Sequence, residues 1–176
     1  MKQLLARVPA IMTAAFFLGS CVAEQPRGVA YNEAAFAGYG GSGSGQVMGR
    51  AVIRGNPVRV AANTIVALMP INAYTTEIVQ RSYAGHEHLQ EADPRLQKYV
   101  REVTSDGDGN FVFRNVPPGN YYASCDVTWW DVSYNTDSSG NQVEANLNYD
   151  QWIYAKVSVR TGQNATVESW DHGQGG

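Results

Sequence analysis

The sequence predicts an all-β domain, with seven short strands folded as a sandwich and interrupted by a short helical insertion and a long polar loop. Three observations predict it. Short runs rich in Val, Ile, Phe and Tyr recur between residues 46 and 170. Turn signals built from Gly, Pro, Asn and Asp separate them. Within several runs the apolar residues alternate, which is the period of a strand with one buried face.

The elements follow in order. Residues 46–54 carry Val47, Met48, Ala51, Val52 and Ile53 and form the first strand, closed by a Gly55-Asn56-Pro57 turn. Residues 64–69 form a second strand, stopped by Pro70. Residues 71–99 break the rhythm. Asp93-Pro94 has the form of a helix start, with Asp as N-cap and Pro first in the helix, and Leu96, Tyr99 and Val100 then face inward. Another short helical turn is expected around Glu77, Ile78 and Val79. Residues 101–104 form a short strand, and residues 105–110 make a tight turn. Residues 111–114 follow with Phe111 and Phe113 on one face. After a turn over 115–119, residues 121–129 make a long strand. Its apolar face holds Cys125 as a small core residue. Residues 131–150, rich in Asn, Asp, Ser and Gly, are expected to be a surface loop. Residues 152–160 place Ile153, Ala155, Val157 and Val159 on one face, and residues 165–169 close the fold.

The stretch Ser105-Asp106-Gly107-Asp108-Gly109-Asn110-Phe111-Val112-Phe113, continued by Pro117-Pro118-Gly119-Asn120-Tyr121-Tyr122, resembles the carboxypeptidase regulatory-like domain family. Gly45-Gln46-Val47-Met48-Gly49-Arg50 is similar to the family's first strand. The resemblance covers about residues 45–170 without the two insertions. It implies an immunoglobulin- or transthyretin-like seven-stranded sandwich, also called a carbohydrate-binding-like fold. It implies little about function, since such modules are commonly non-catalytic.

The N-terminus reads as an export signal. Lys2 and Arg7 precede an apolar run over residues 10–18, too short to span a bilayer. Leu18-Gly19-Ser20-Cys21 resembles the lipobox of bacterial lipoproteins. That resemblance implies cleavage of residues 1–20 as a signal peptide and lipidation (palmitate among the acyl chains) of Cys21. Val22 follows in place of an Asp, which tilts the expected localisation to the outer membrane of the cell envelope, facing the periplasm or the cell surface. Residues 21–45, with Gly38-Tyr39-Gly40-Gly41-Ser42-Gly43-Ser44-Gly45, have the composition of a flexible tether. Residues 46–170 are the domain, and residues 171–176 a disordered tail.

Charge narrows the partners. Without Lys2 and Arg7 the chain keeps 11 basic against 16 acidic side chains. No basic stripe exists, so no nucleic acid is expected. The membrane is reached through the lipid alone, and the other partner is an unknown envelope protein or a glycan. No cofactor is expected. Asp106-x-Asp108-x-Asn110 starts like a calcium loop, but Phe111 stands where its glycine belongs and Pro117 where its glutamate belongs. His86 and His88, near Glu87, Glu91 and Asp93, are weak candidates for a metal. They do not form a His-Glu-x-x-His pattern, and the expectation is no metal.

No nucleophile–base set stands out, so no catalytic residue is assigned and the chain is expected not to be an enzyme. The leading reading is a non-catalytic envelope lipoprotein that binds protein or has a structural role. Its alternative is a carbohydrate- or peptidoglycan-binding module using Trp130, Tyr134, Tyr149, Trp152 and Tyr154. These aromatics either stand exposed or are covered by the 131–150 loop folding back. The sequence leaves both open.

Overall fold

The computed structural model describes residues 24–136 and 138–172. The expected signal peptide over residues 1–20, and Cys21, lie outside these residues. Among the described residues the chain is mostly β, with ten strands where seven are expected. They are β1 (Gly45–Arg50), β2 (Val52–Ile53), β3 (Arg59–Val60), β4 (Ile65–Pro70), β5 (Arg101–Thr104), β6 (Asn110–Val116), β7 (Gly119–Thr136), β8 (Gln142–Val159), β9 (Asn164–Val167) and β10 (Asp171–His172).

Three sheets result, ordered β6-β1-β9, β10-β8-β7-β4-β5 and β2-β3. Neighbours are antiparallel except for β1 and β9, which run parallel. Alternation decides what each face buries. Val47, Phe111 and Phe113 from the three-stranded sheet share one buried cluster with Leu68, Tyr121 and Ile153 from the five-stranded sheet. The Phe111 and Phe113 rings meet edge to face, 5.8 Å apart. Cys125 is fully buried in this cluster.

The opposite face of the five-stranded sheet receives the helical insertion. It comprises α1 (Ala73–Glu77), a π-helical turn over Ile78–Tyr83 and a 3-10 turn over Pro94–Lys98. Asn72 caps α1 by accepting from the Thr75 amide while the Thr75 hydroxyl accepts from the Asn72 amide. Asp93 caps the 3-10 turn as expected, with its carboxylate accepting from the Arg95 amide. The turn is tighter than an α-helix, but it still buries Leu96.

Four expectations change. The two extra inner strands, β2 and β3, are a short ribbon about the Gly55-Asn56-Pro57 turn, and the third extra strand is β10. The 131–150 stretch is no loop, because β7 and β8 pair along it from Gly119↔Val159 to Thr136↔Gln142. Its polar composition has a physical reason. β4 covers β7 only over residues 121–125, and β10 meets β8 only at residues 153–154. Beyond them the hairpin is a two-stranded arm wetted on both faces, which removes the apolar alternation that marks a strand.

Residues 24–44 pack onto the domain and are no flexible tether. Phe36 is fully buried among Tyr74, Ile78 and Leu96, and Tyr39 meets Tyr121 edge to face at 5.3 Å. Glycines here serve close approach: a Cβ on Gly43 would lie 2.2 Å from the Val116 carbonyl oxygen. Asp171 and His172, expected in a disordered tail, instead pair with Tyr154 and Ile153. Trp170 anchors this end, its indole N–H donating to the Arg50 carbonyl at 2.8 Å.

Candidate functional site

Strand alternation puts Ile65, Ala67 and Met69 of β4 on the outer face of the five-stranded sheet. Glu102 of β5, Asp126 of β7 and Trp152 of β8 share that face, since Ala67 pairs with Glu102 and Asp126 with Trp152. The insertion arches over them and encloses a groove of about 730 Å³. Glu91, Asp93 and Gln97 form its far wall, and Arg27 from the N-terminal segment reaches its edge.

Trp152 organises this region. Its ring stacks on Tyr83 with centroids 4.2 Å apart and planes 4° from parallel. The pair lines both the large groove and a second cleft of about 400 Å³, whose other walls include His86, His88 and Asp150. Burial raises the pKa of the Tyr83 hydroxyl, so it stays neutral in the ordinary range.

The polar groups beside this stack are incompletely satisfied. Asp126 Oδ1 is buried without a hydrogen-bond partner, and so is Arg27 Nη1. Ser124, fully buried beside the Tyr83 hydroxyl, leaves its Oγ without a hydrogen bond of good geometry. Burial pushes the Asp126 carboxyl up, and the nearby Asp150 carboxylate adds to this. Asp93 differs. The Arg95 side chain and amide hold its carboxyl down at about 2.

No protein-family model matches the chain, and no curated protein matches it. Among solved structures, the chain is similar to a "putative carbohydrate binding protein" from Pseudomonas aeruginosa. The two share 25% sequence identity with a TM-score of 0.62, over 78% of this chain and 94% of the other. The likeness therefore spans nearly all of that bacterial protein.

The five expected aromatics do not form one site. Trp130, Tyr134, Trp152 and Tyr154 share a face of the β7–β8 hairpin, because their cross-strand partners fall in the same alternation. Tyr149 points to the opposite face and stacks on Trp129 at 5.5 Å. Trp130 and Tyr134 stand on the arm at 67% and 65% exposure, so no loop folds back over them. Tyr154 is half-buried against Met69, Val79 and Tyr122. Of the five, only Trp152 lines the groove.

His86 and His88 sit at the smaller cleft, while Glu87 between them is held by Arg81 at 2.6 Å. Among the described residues, no group of three or more His, Cys, Asp or Glu side chains is placed to hold a metal ion. The Asp106 carboxylate turns inward, accepting from the Asp108 and Asn110 amides at 2.9 and 2.8 Å, so it braces its own turn. Among the described residues, no helix is long and apolar enough to cross a membrane.

Sequence reasoning missed Tyr83 and Asp126. Tyr83 lies in an irregular insertion where no period marks it. Asp126 had a signal, as a carboxylate at an outward position of a strand whose next outward residue toward the N-terminus is Ser124.

Proposed function

We propose that this chain is a non-catalytic carbohydrate-binding module, with its ligand in the groove beside Trp152. The observation that carries the reading is the Trp152–Tyr83 stack set into a groove edged by Asp93, Gln97 and Asp126. Sugar rings carry apolar C–H faces that pack on aromatic rings, while carboxylates and amides accept their hydroxyls. A groove of about 730 Å³ is of the size that holds small ligands. The likeness to the Pseudomonas aeruginosa protein supports the same reading. The test is calorimetric titration of the chain with envelope-derived oligosaccharides. Binding by the native chain and its loss in Trp152→Ala is the expected result. Equal binding by both would sink the reading.

The reading has a structural and a cellular side. The two facing sheets are taken as a transthyretin-like sandwich of the carboxypeptidase regulatory-like kind, with β2, β3 and β10 as additions. The module is held to the cell envelope, in the outer membrane, by lipid on Cys21. Cys21→Ser is expected to abolish fatty-acid incorporation and release the chain in soluble form; labelling that survives the change refutes the anchor.

A second reading, docking to an envelope protein, is favoured by the arm. Val132, Val143 and Leu147 are 40–49% exposed on a hairpin with two free edges. Crosslinking through Val132 or Leu147 to one defined envelope protein, without any glycan response, would select this reading.

A further inference from the structure

The charge of the groove selects among sugars. Its lining carries four carboxylates, on Glu91, Asp93, Glu102 and Asp126, and one guanidinium, on Arg27. Asp93 is already neutralised by Arg95 at 2.7 Å. Arg27 is held at the groove's edge: its Nε donates to the Gln90 and Glu91 carbonyls and its guanidinium lies over the Tyr74 ring at 5.1 Å, while its Nη1 is buried without a partner. The remaining balance is negative, and it is concentrated on the floor at Asp126.

Asp126 is only partly provided for, by hydrogen bonds from the Gln151 and Val127 amides to its carboxyl. Its Oδ1 has no partner, and a buried oxygen without one is costly. The groups facing it do not neutralise it. Asp150 on β8 repels it, Tyr83 on the insertion is neutral, and Ser124 on its own strand carries no charge. Glu102 of β5, at the exposed rim of the same sheet face, adds negative charge. A neutral sugar would leave this imbalance in place, and a uronate or phosphorylated sugar would worsen it. A cation beside an aromatic wall corrects it, since ring faces also attract cations.

We propose that the groove takes a glycan bearing free amino groups, such as a de-N-acetylated hexosamine chain, with an ammonium drawn to Asp126 beside Trp152. This rests on the carbohydrate reading and names the class of sugar. An N-acetyl group removes the positive charge and adds bulk at the same position. The ammonium is therefore the discriminating feature.

The experiment is calorimetric titration of the full chain with four oligosaccharides of equal length, made of glucosamine, N-acetylglucosamine, glucose or glucuronate. The glucosamine oligomer is expected to bind about tenfold or more tightly than the N-acetylated one, the scale of one charge-assisted contact. The gap narrows as salt is raised. The ratio of the two affinities is expected to fall toward one in Asp126→Asn. Glu102→Gln, at an exposed rim position, lowers the same ratio and serves if the buried change impairs folding. Equal binding of both oligomers, preference for glucuronate, or a ratio untouched by the folded variants overturns the proposal while leaving the carbohydrate reading standing. Failure of all four oligomers to bind removes both.

Discussion

Glu77 Oε1 accepts a hydrogen bond from the Gly28 amide at 2.6 Å, although 49 residues separate them. The same carboxylate accepts from the Val29 amide at 3.3 Å and from Arg81 Nη1 at 3.0 Å. A buried acid thus ties the N-terminal segment to the insertion. Removing one partner of such a set strands the others, at a cost of about 3 kcal/mol. Glu77→Ala is expected to lower stability by about that amount and to open residues 24–36 to proteolysis. Melting curves and mapping of the cleavage sites check both.

The same contact makes stability depend on pH. Desolvation alone would raise the Glu77 pKa, but the Gly28 amide, Arg81 and the Val29 amide outweigh it and hold the group below its ordinary 4.5. A carboxyl depressed in the folded state stabilises fully above the unfolded value and loses that contribution as pH falls through the folded value. The difference in melting temperature between the native chain and Glu77→Gln is therefore expected to be constant above about pH 5.5 and to shrink below pH 4.5. A difference that grows on acidification would contradict the assignment.

Two tryptophans in one hairpin are predicted to behave differently. Trp152 is half-buried and stacked on Tyr83, so Trp152→Ala should cost about 1–3 kcal/mol through lost burial and ring contact. Trp130 is 67% exposed and has no ring partner among the described residues, so Trp130→Ala should stay within about 0.5 kcal/mol of the native chain. Chemical denaturation of the two variants separates them.

Much of the fold was legible because burial writes a period into the chain. Phe111 and Phe113, and Ile153, Ala155 and Val157, recur at every second position of their strands, and each ends in the central core. The arm was not legible, since neither of its faces is buried and Asn146 or Asn148 can stand anywhere a side chain meets water. The N-terminal segment was misread for the opposite reason. Its glycines suggest freedom, whereas Tyr31, Phe36 and Tyr39 provide the anchors that hold it. The groove depends on contacts between Trp152 and Tyr83, 69 positions apart, which no local pattern records.

Cys125 offers a direct reading of core integrity. Burial, with the Asp126 carboxylate adding to it, pushes its thiol up to about 12, and only the thiolate reacts readily. In a Cys21→Ser variant, a maleimide at pH 8 is expected to leave the native protein unlabelled and to label one thiol once denaturant unfolds it. Prompt labelling of the native form would mean that the sheet opens locally around Cys125, between β4 and β8.

The arm and the groove are separable by deletion. Trp130 faces Asn148, so residues 131–147 can be replaced by Asn-Gly, a two-residue turn suited to such a hairpin. The change keeps Trp129 stacked on Tyr149 and leaves Trp152 in place. It removes the Arg59–Asp131 ion pair, whose Asp131 side chain is 54% exposed and contributes little. The shortened chain should therefore lose less than about 1 kcal/mol of stability. Its glycan affinity should match that of the full chain, because neither Trp130 nor any residue of 131–147 lines the groove. A large loss of affinity with stability intact would move the sugar site from the groove to the removed part of the arm, around Tyr134.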